Sequence, residues 1–229
     1  MRGKRLEGEA GESGSRGRQA RTTRTDEASV SKGPRRTDAR FRRAPAQVRI
    51  IGGQWKRTPL PVLDVPGLRP SPDRVRETVF NWLAYFFPDF GTVRGLDLFA
   101  GTGALGFELA SRGAAKATLL ERNPVLVEQL RRIRDKVGAS NVDVVCGEAI
   151  SFARAVAAGA FDVVFLDPPF DSGLLQPALD QAARIVTAGG LVYAESGEDV
   201  ARDVVERAGL SVVRTGRAGQ VRFHLLQKA

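Results

Sequence analysis

The sequence predicts a doubly wound α/β fold, a mostly parallel sheet with helices on both faces. Three features predict it. From residue 93 onward, short apolar runs alternate with stretches of helical periodicity. The first run, Val93 to Leu98, passes through a glycine loop, Asp97 to Gly106, into a helix. A later run, Phe161 to Leu166, stops at Asp167-Pro168-Pro169-Phe170. Neither helix nor strand continues there, because proline lacks an N–H and pushes its predecessor out of the helical region.

The elements follow in order. Residues 1–44 hold 13 Lys/Arg against 6 Asp/Glu and almost no large apolar side chains, which reads as a disordered basic arm. It lacks the apolar segment of a secretory signal, and Glu7, Glu9, Glu12, Asp26 and Glu27 argue against a transit peptide. A solvated tail and an RNA-contacting arm are both compatible with that composition. Residues 45–66 read as an extension in which Gly52-Gly53 joins two strand-like runs, Gln47–Ile51 and Gln54–Leu60, into a β-hairpin. Ser71 is a natural N-cap and Pro72 suits the first turn of a helix running from Pro72 to about Phe86. Val75, Val79, Trp82, Leu83 and Phe86 form its apolar face.

Strands are expected near 93–98, 117–121, 142–146, 161–166 and 190–195. Helices are expected near 104–112, 124–137, 148–158, 174–187 and 198–208. Two antiparallel candidates, 210–216 and 220–227, close the chain. Residues 67–229 thus read as one domain with a substantial core.

Composition narrows the chemistry. A single cysteine, Cys146, excludes an internal disulfide and any cysteine-based cluster. The only histidine, His224, lies in an alternating stretch and reads as a strand surface residue, leaving little for a histidine-based hydrolase. No metal site is expected. No apolar run approaches the roughly twenty residues that span a bilayer, so a cytoplasmic, monomeric protein is the expectation. Between residues 45 and 76, Arg49, Lys56, Arg57, Arg69, Arg74 and Arg76 face only Asp64 and Asp73, whereas residues 77–229 hold 16 basic against 18 acidic side chains. That asymmetry suits a phosphate backbone. It also fits an ordinary solvated face, and at the start of the helix Ser71, Arg74 and Arg76 suit cofactor or phosphate contact and, equally, internal salt bridges with Asp73 and Glu77.

In the glycine loop, Gly101 and Gly103 let backbone approach a ligand, and Glu121, at the end of the next strand, can accept hydrogen bonds from both ribose hydroxyls of a nucleoside cofactor. Taken alone, this also matches a dinucleotide-binding fingerprint. Two details favour S-adenosyl-L-methionine. The Asp97 carboxylate can meet an ammonium and would repel a pyrophosphate. The Asp-Pro-Pro-Phe loop presents a carboxylate (Asp167), a backbone carbonyl (Pro168) and a stacking ring (Phe170), which suit a planar base carrying an exocyclic amine. Such a loop has no role in hydride transfer. The backbone from Phe99 through Ala100, Gly101, Thr102 and Gly103 would hold the methionine part, and Glu148 and Ala149 would lie near the adenine edge; Arg122 either flanks the ribose or, the favoured reading, belongs to a solvated loop. An NAD-dependent oxidoreductase and a non-catalytic assembly factor on the same fold are the alternatives.

Arg49 to Trp55 (Arg-Ile-Ile-Gly-Gly-Gln-Trp), Gly67 to Pro70, Asp73 to Leu83, the glycine loop and Asp167 to Phe170 resemble the RsmD family, the 16S rRNA guanine(966)-N2 methyltransferases of bacteria. The resemblance covers about residues 47–228. It implies a Rossmann-like seven-stranded fold of order 3-2-1-4-5-7-6 with an N-terminal hairpin for RNA, S-adenosyl-L-methionine as cofactor, and a guanine of the small ribosomal subunit as substrate. Another RNA or DNA base as acceptor is the alternative within that chemistry. The chain departs from the family at Lys56-Arg57-Thr58-Pro59, where Arg-Gly-Arg or Lys-Gly is usual, and at Glu148, where Asn or Asp is common.

Overall fold

The computed structural model describes residues 47–170 and 172–229. The expected arm over 1–44, and the first two residues of the 45–66 extension, lie outside them. The extension is a two-stranded antiparallel ribbon of β1 (Gln47–Arg49) and β2 (Pro59–Pro61), with Val48 opposite Leu60. After it come α1 (Asp73–Phe86), β3 (Arg94–Asp97), α2 (Ala104–Ser111), β4 (Lys116–Glu121), α3 (Pro124–Val137), β5 (Val142–Cys146) and α4 (Ala149–Ala155). The chain continues through β6 (Phe161–Leu166), α5 (Leu175–Ile185), β7 (Val186–Ser196), α6 (Arg202–Arg207), β8 (Leu210–Ala218) and β9 (Val221–Lys228).

The seven strands β3–β9 form one sheet in the order β5-β4-β3-β6-β7-β9-β8. Counted from β3, that is 3-2-1-4-5-7-6. Strands β3 to β7 are parallel, and β9 runs antiparallel between β7 and β8. The central strands are apolar on both faces because helices cover both. Side chains alternate along each strand. On β6, Val163 and Phe165 enter the core shared with α1, α2 and α3, whereas Val164 and Leu166 enter the core shared with α4 and α5. The switch point lies between β3 and β6, the neighbours from which the sheet winds in opposite directions.

The extension departs from the tight hairpin expected. Residues 54–57 form a turn rather than a strand, and Arg57 N–H donates to the Ile50 carbonyl at 2.8 Å. Contact with α2 is the physical reason. Gly53 has φ +73°, and a Cβ there would lie 1.8 Å from the Ser111 carbonyl oxygen. The Gly-Gly pair therefore serves close approach to a helix end. Arg57 adopts φ +73°, a left-handed conformation costing a non-glycine residue roughly 1–2 kcal/mol. Glycine at this position would avoid that cost.

The extension is also not a separate folding unit, since Val48, Ile50 and Leu60 belong to the core that contains Phe80 and Phe165. Glu108 on α2 is fully buried and accepts from the Ile51 and Gly52 amides at 2.6 and 2.8 Å. Arg76 on α1, equally buried, lies 3.8 Å from the same carboxylate. Its Nη1 donates to the Arg49 carbonyl at 2.9 Å, its Nη2 to Asp73 at 2.6 Å, and its Nε to the Ser71 carbonyl at 3.2 Å. Arg76 thus joins extension, linker and both helices. His224, expected at a strand surface, is 5% exposed because β9 is an interior strand. Removing one partner of a buried ion pair leaves an unpaired charge. Arg76→Leu is therefore expected to lower unfolding free energy by about 3 kcal/mol in chemical denaturation.

Candidate active site

The neighbouring strands β3, β6 and β7 each deliver an acid at or next to their carboxyl ends. Asp97 closes β3 and sits in register with Phe165, two residues before Asp167. Phe165 in turn pairs with Tyr193 on β7, two residues before Glu195. Alternation then turns Asp97, Asp167 and Glu195 toward the same face as Phe165 and Tyr193, the one covered by α1. The loop that leads into α1 fills the space above them. Ser71 is buried, and its hydroxyl lies 3.3 Å from Asp167 Oδ2 and within a short hydrogen bond of Glu195 Oε1. The Tyr193 hydroxyl donates to the same Glu195 oxygen at 2.7 Å.

This overturns the expected role of Ser71. The helix has Pro72 at its N-cap with no side-chain cap bond, because the serine hydroxyl is committed to the carboxylates. Burial pushes the Asp167 carboxyl well above the usual range, and the neighbouring charges of Glu195 and Asp97 push it further. Glu195 is raised by burial too, against the opposing hydroxyls of Ser71 and Tyr193 and the charge of Arg76.

The glycine loop forms the other half of the crevice. Gly103, with φ +78°, is the N-cap of α2, and a Cβ there would meet Leu130 and Phe107 at 2.6 Å. The Glu121 carboxylate accepts from Gly101 N–H at 3.0 Å and from Asn123 N–H at 2.8 Å. Two backbone amides thereby aim it at the loop, and each oxygen keeps a further lone pair for a hydroxyl donor. Asp97 is 2% exposed and its Oδ2 accepts from Gly106 N–H at 3.0 Å. Burial raises it to about 7, against hydrogen bonds from the Gly106 and Phe99 amides. A buried acid whose ionised form a cation would stabilise, beside a bare backbone loop, suits a ligand bearing a cation. A carboxylate pre-aimed by two amides suits one bearing a diol. Those donor needs are met by S-adenosyl-L-methionine.

The remaining expected residues divide. Phe99 is half-buried, Ala100 and Thr102 are buried in the loop, and Arg122 is exposed beside Glu121. Ala149 is buried at the start of α4. Glu148 caps that helix, accepting from Ile150 and Ser151 amides at 3.0 and 2.7 Å, which lowers its pKa. The carboxylate expected near an adenine thus serves as a helix cap, with a further lone pair left on each oxygen. Pro168 is buried, Phe170 is 40% exposed, and both line a cavity of about 380 Å³ with Gln176, Ser196 and Glu198. Arg49, Lys56, Arg57, Arg69 and Arg74 are exposed. Arg76 is not: with its guanidinium enclosed and all three nitrogens engaged, it cannot serve a phosphate.

Glu195 and Tyr193 are absent from the sequence-based site. A signal for Glu195 existed. Like Asp97, Glu121 and Asp167, it is an acid ending an apolar run at the carboxyl edge of a doubly wound sheet.

Together the sheet order, the glycine loop and the acid-Pro-Pro-aromatic loop define a Rossmann-like methyltransferase. Comparison with known proteins narrows the class. Residues 48–227 match a family described as conserved hypothetical protein 95. Ribosomal RNA small subunit methyltransferase D of Escherichia coli K12 is 44% identical over 184 residues, spanning 80% of this chain and 90% of that one. Its Haemophilus influenzae namesake is 35% identical over 189 residues, spanning 80% and 95%. The solved structure of yhhF from Escherichia coli superposes with a TM-score of 0.68 at 40% identity, covering 80% of this chain and 98% of that one. The chain belongs to the RsmD family.

Asp97 supplies a pH test. A carboxyl raised to about 7 in the ligand-free protein must ionise before it attracts a cation. Affinity for S-adenosyl-L-methionine is expected to fall by about tenfold per pH unit below that value, as read by calorimetry. Stability of the ligand-free protein runs the other way. Folding binds the extra proton between the ordinary carboxylate pKa and 7, so this group's contribution is lost as pH rises through that window. Asp97→Asn should remove both dependences.

Proposed function

We propose that this chain transfers a methyl group from S-adenosyl-L-methionine to the exocyclic N2 of a guanine in 16S rRNA of the small ribosomal subunit. One observation carries the reading: Asp167, Pro168 and Phe170 stand at the carboxyl end of β6, beside the glycine loop on β3, in a family whose curated relatives are named for methylating small-subunit rRNA.

When bound, the cofactor supplies an already activated methyl group. The Glu121 carboxylate would hold the ribose diol, while the Phe99–Gly103 backbone and the charge of Asp97 would hold the methionine end. The chain's own task is then positioning. A guanine amine is a poor nucleophile because its lone pair is delocalised into the ring. Its two N–H groups match Asp167 and the Pro168 carbonyl, and accepting both turns the lone pair out of conjugation. Phe170 offers a stacking surface, worth about 1–3 kcal/mol per base. The 380 Å³ cavity beside it has room for an unstacked base. Arg49, Lys56, Arg57, Arg69 and Arg74 would meet phosphates, which makes affinity fall steeply with salt.

The direct test incubates the purified chain with isotopically labelled S-adenosyl-L-methionine and unmethylated small subunits, then analyses rRNA nucleosides by mass spectrometry. Labelled N2-methylguanosine is expected. No label, or label on another nucleoside, would refute the assignment. Asp167→Ala is expected to slow the reaction roughly tenfold to over a hundredfold, as for a lost hydrogen bond to a charged or polarised group. Cofactor affinity should change little.

A further inference from the structure

Ser71, Tyr193 and Glu195 form a hydrogen-bonded chain that methyl transfer as described above does not use. It ends on Asp167. Ser71 Oγ reaches two carboxyl groups, Glu195 Oε1 by a short bond and Asp167 Oδ2 at 3.3 Å, yet a serine hydroxyl carries one proton. With both acids ionised, one of those contacts would set lone pair against lone pair in a buried site. One added proton makes both contacts hydrogen bonds. Its place follows from the donors. Glu195 Oε1 already accepts from Tyr193 at 2.7 Å and from Ser71, which favours a charge there. The added proton therefore belongs on Asp167 Oδ2, donating to Ser71 Oγ.

Building on the methyltransferase reading, we propose that Glu195 is the final acceptor of the proton released by the methylated amine, reached through Asp167 and the Ser71 hydroxyl. Asp167 Oδ1, the carbonyl oxygen of a neutral acid, still accepts one amine N–H. After methylation, N2 carries a positive charge and an acidic proton. That proton passes to Asp167 Oδ1, the Oδ2 proton passes to Ser71 Oγ, and the original Ser71 proton passes to Glu195 Oε1. The amine becomes neutral, Glu195 becomes neutral, and Asp167 and Ser71 end with the proton count they began with. Ser71 and Glu195 act through Asp167 and are in that sense positioning residues.

The charged groups around the chain come from four elements. Asp97 faces it from β3, Asp167 from β6, and Tyr193 lies two residues before Glu195 on β7. Arg76 approaches from α1, where its Nε holds the Ser71 carbonyl at 3.2 Å. Burial dominates and raises both carboxyl groups; Arg76 moderates the rise at Glu195 alone. Glu195 is thereby a stronger base than an exposed glutamate. Arg76 also fixes the backbone from which the relaying hydroxyl projects.

The test uses the full chain and Glu195→Gln, which keeps the volume and an acceptor for Ser71 and Tyr193. With small subunits as substrate, wild-type kcat should fall as pH drops through the Glu195 range. In Glu195→Gln, kcat should be at least tenfold lower and that acid limb should vanish, with cofactor affinity and melting temperature near wild type. Ser71→Ala should show the same loss, and the double variant should be no slower than either single one. A Glu195→Gln enzyme with wild-type kcat, or with the acid limb intact, overturns the relay.

Infrared spectroscopy gives a readout free of substrate. Ligand-free protein at pH 8 should show a protonated carboxyl band that Asp167→Asn removes; a band that persists there overturns the proton's placement. Methylation of rRNA by the wild type is scored separately, so failure of the proposed function and failure of the relay give different results.

Discussion

The enclosed ion pair between Arg76 and Glu108 is the constraint on which the rest of the site depends. A buried charge is costly unless it is paired and hydrogen-bonded. The Arg76 guanidinium meets that demand by collecting acceptors from four places: the ribbon at Arg49, the linker at Ser71, the first turn of α1 at Asp73, and α2 at Glu108. Glu108 meets its own by taking the Ile51 and Gly52 amides and the Arg112 side chain. Two side chains thus set the extension, α1 and the helix after the glycine loop in fixed relation. The hydroxyl of Ser71 falls between two acids as a consequence.

Sheet parity does the complementary work from below. Because β3, β6 and β7 are parallel and in register, acids placed at their ends face one side together. Bringing three carboxyl groups into one enclosed space raises their affinity for protons. The site is therefore partly neutral before any ligand arrives. A cation at Asp97 would meet a carboxyl whose charge responds to it, an amine at Asp167 would meet an acceptor oxygen, and the glycine loop leaves room for backbone contact beside them.

Much of the architecture was legible in the chain. Short runs dominated by apolar residues mark strands, so β5 and β6 begin and end at the residues the pattern indicates. Asn123, Pro124 and Gly138 mark the ends of α3 by capping chemistry that needs no tertiary partner. Asp97, Glu121 and Asp167 were visible as acids ending strands. What stayed hidden depends on contacts distant in sequence. The pairing of Arg76 with Asp73 was open to reading from the chain, but not its enclosure by Glu108 and the Arg49 carbonyl. Ser71 has the composition of a cap, yet a carboxylate beyond the helix competes successfully for its hydroxyl. The Gly52-Gly53 pair reads as a hairpin turn because nothing local reveals the helix end that it must approach. His224 alternates like a surface residue, and only the insertion of β9 between two strands buries it.

The central claim, that an exposed guanine amine is received by Asp167 and the Pro168 carbonyl, is tested most directly by a structure of the chain on the small subunit with an unreactive cofactor analogue. The expected result places the target N2 within hydrogen-bond distance of both oxygens, the base against Phe170, and Ser71 still bridging Asp167 and Glu195. A base seated elsewhere, with Asp167 contacting only Ser71, would contradict it.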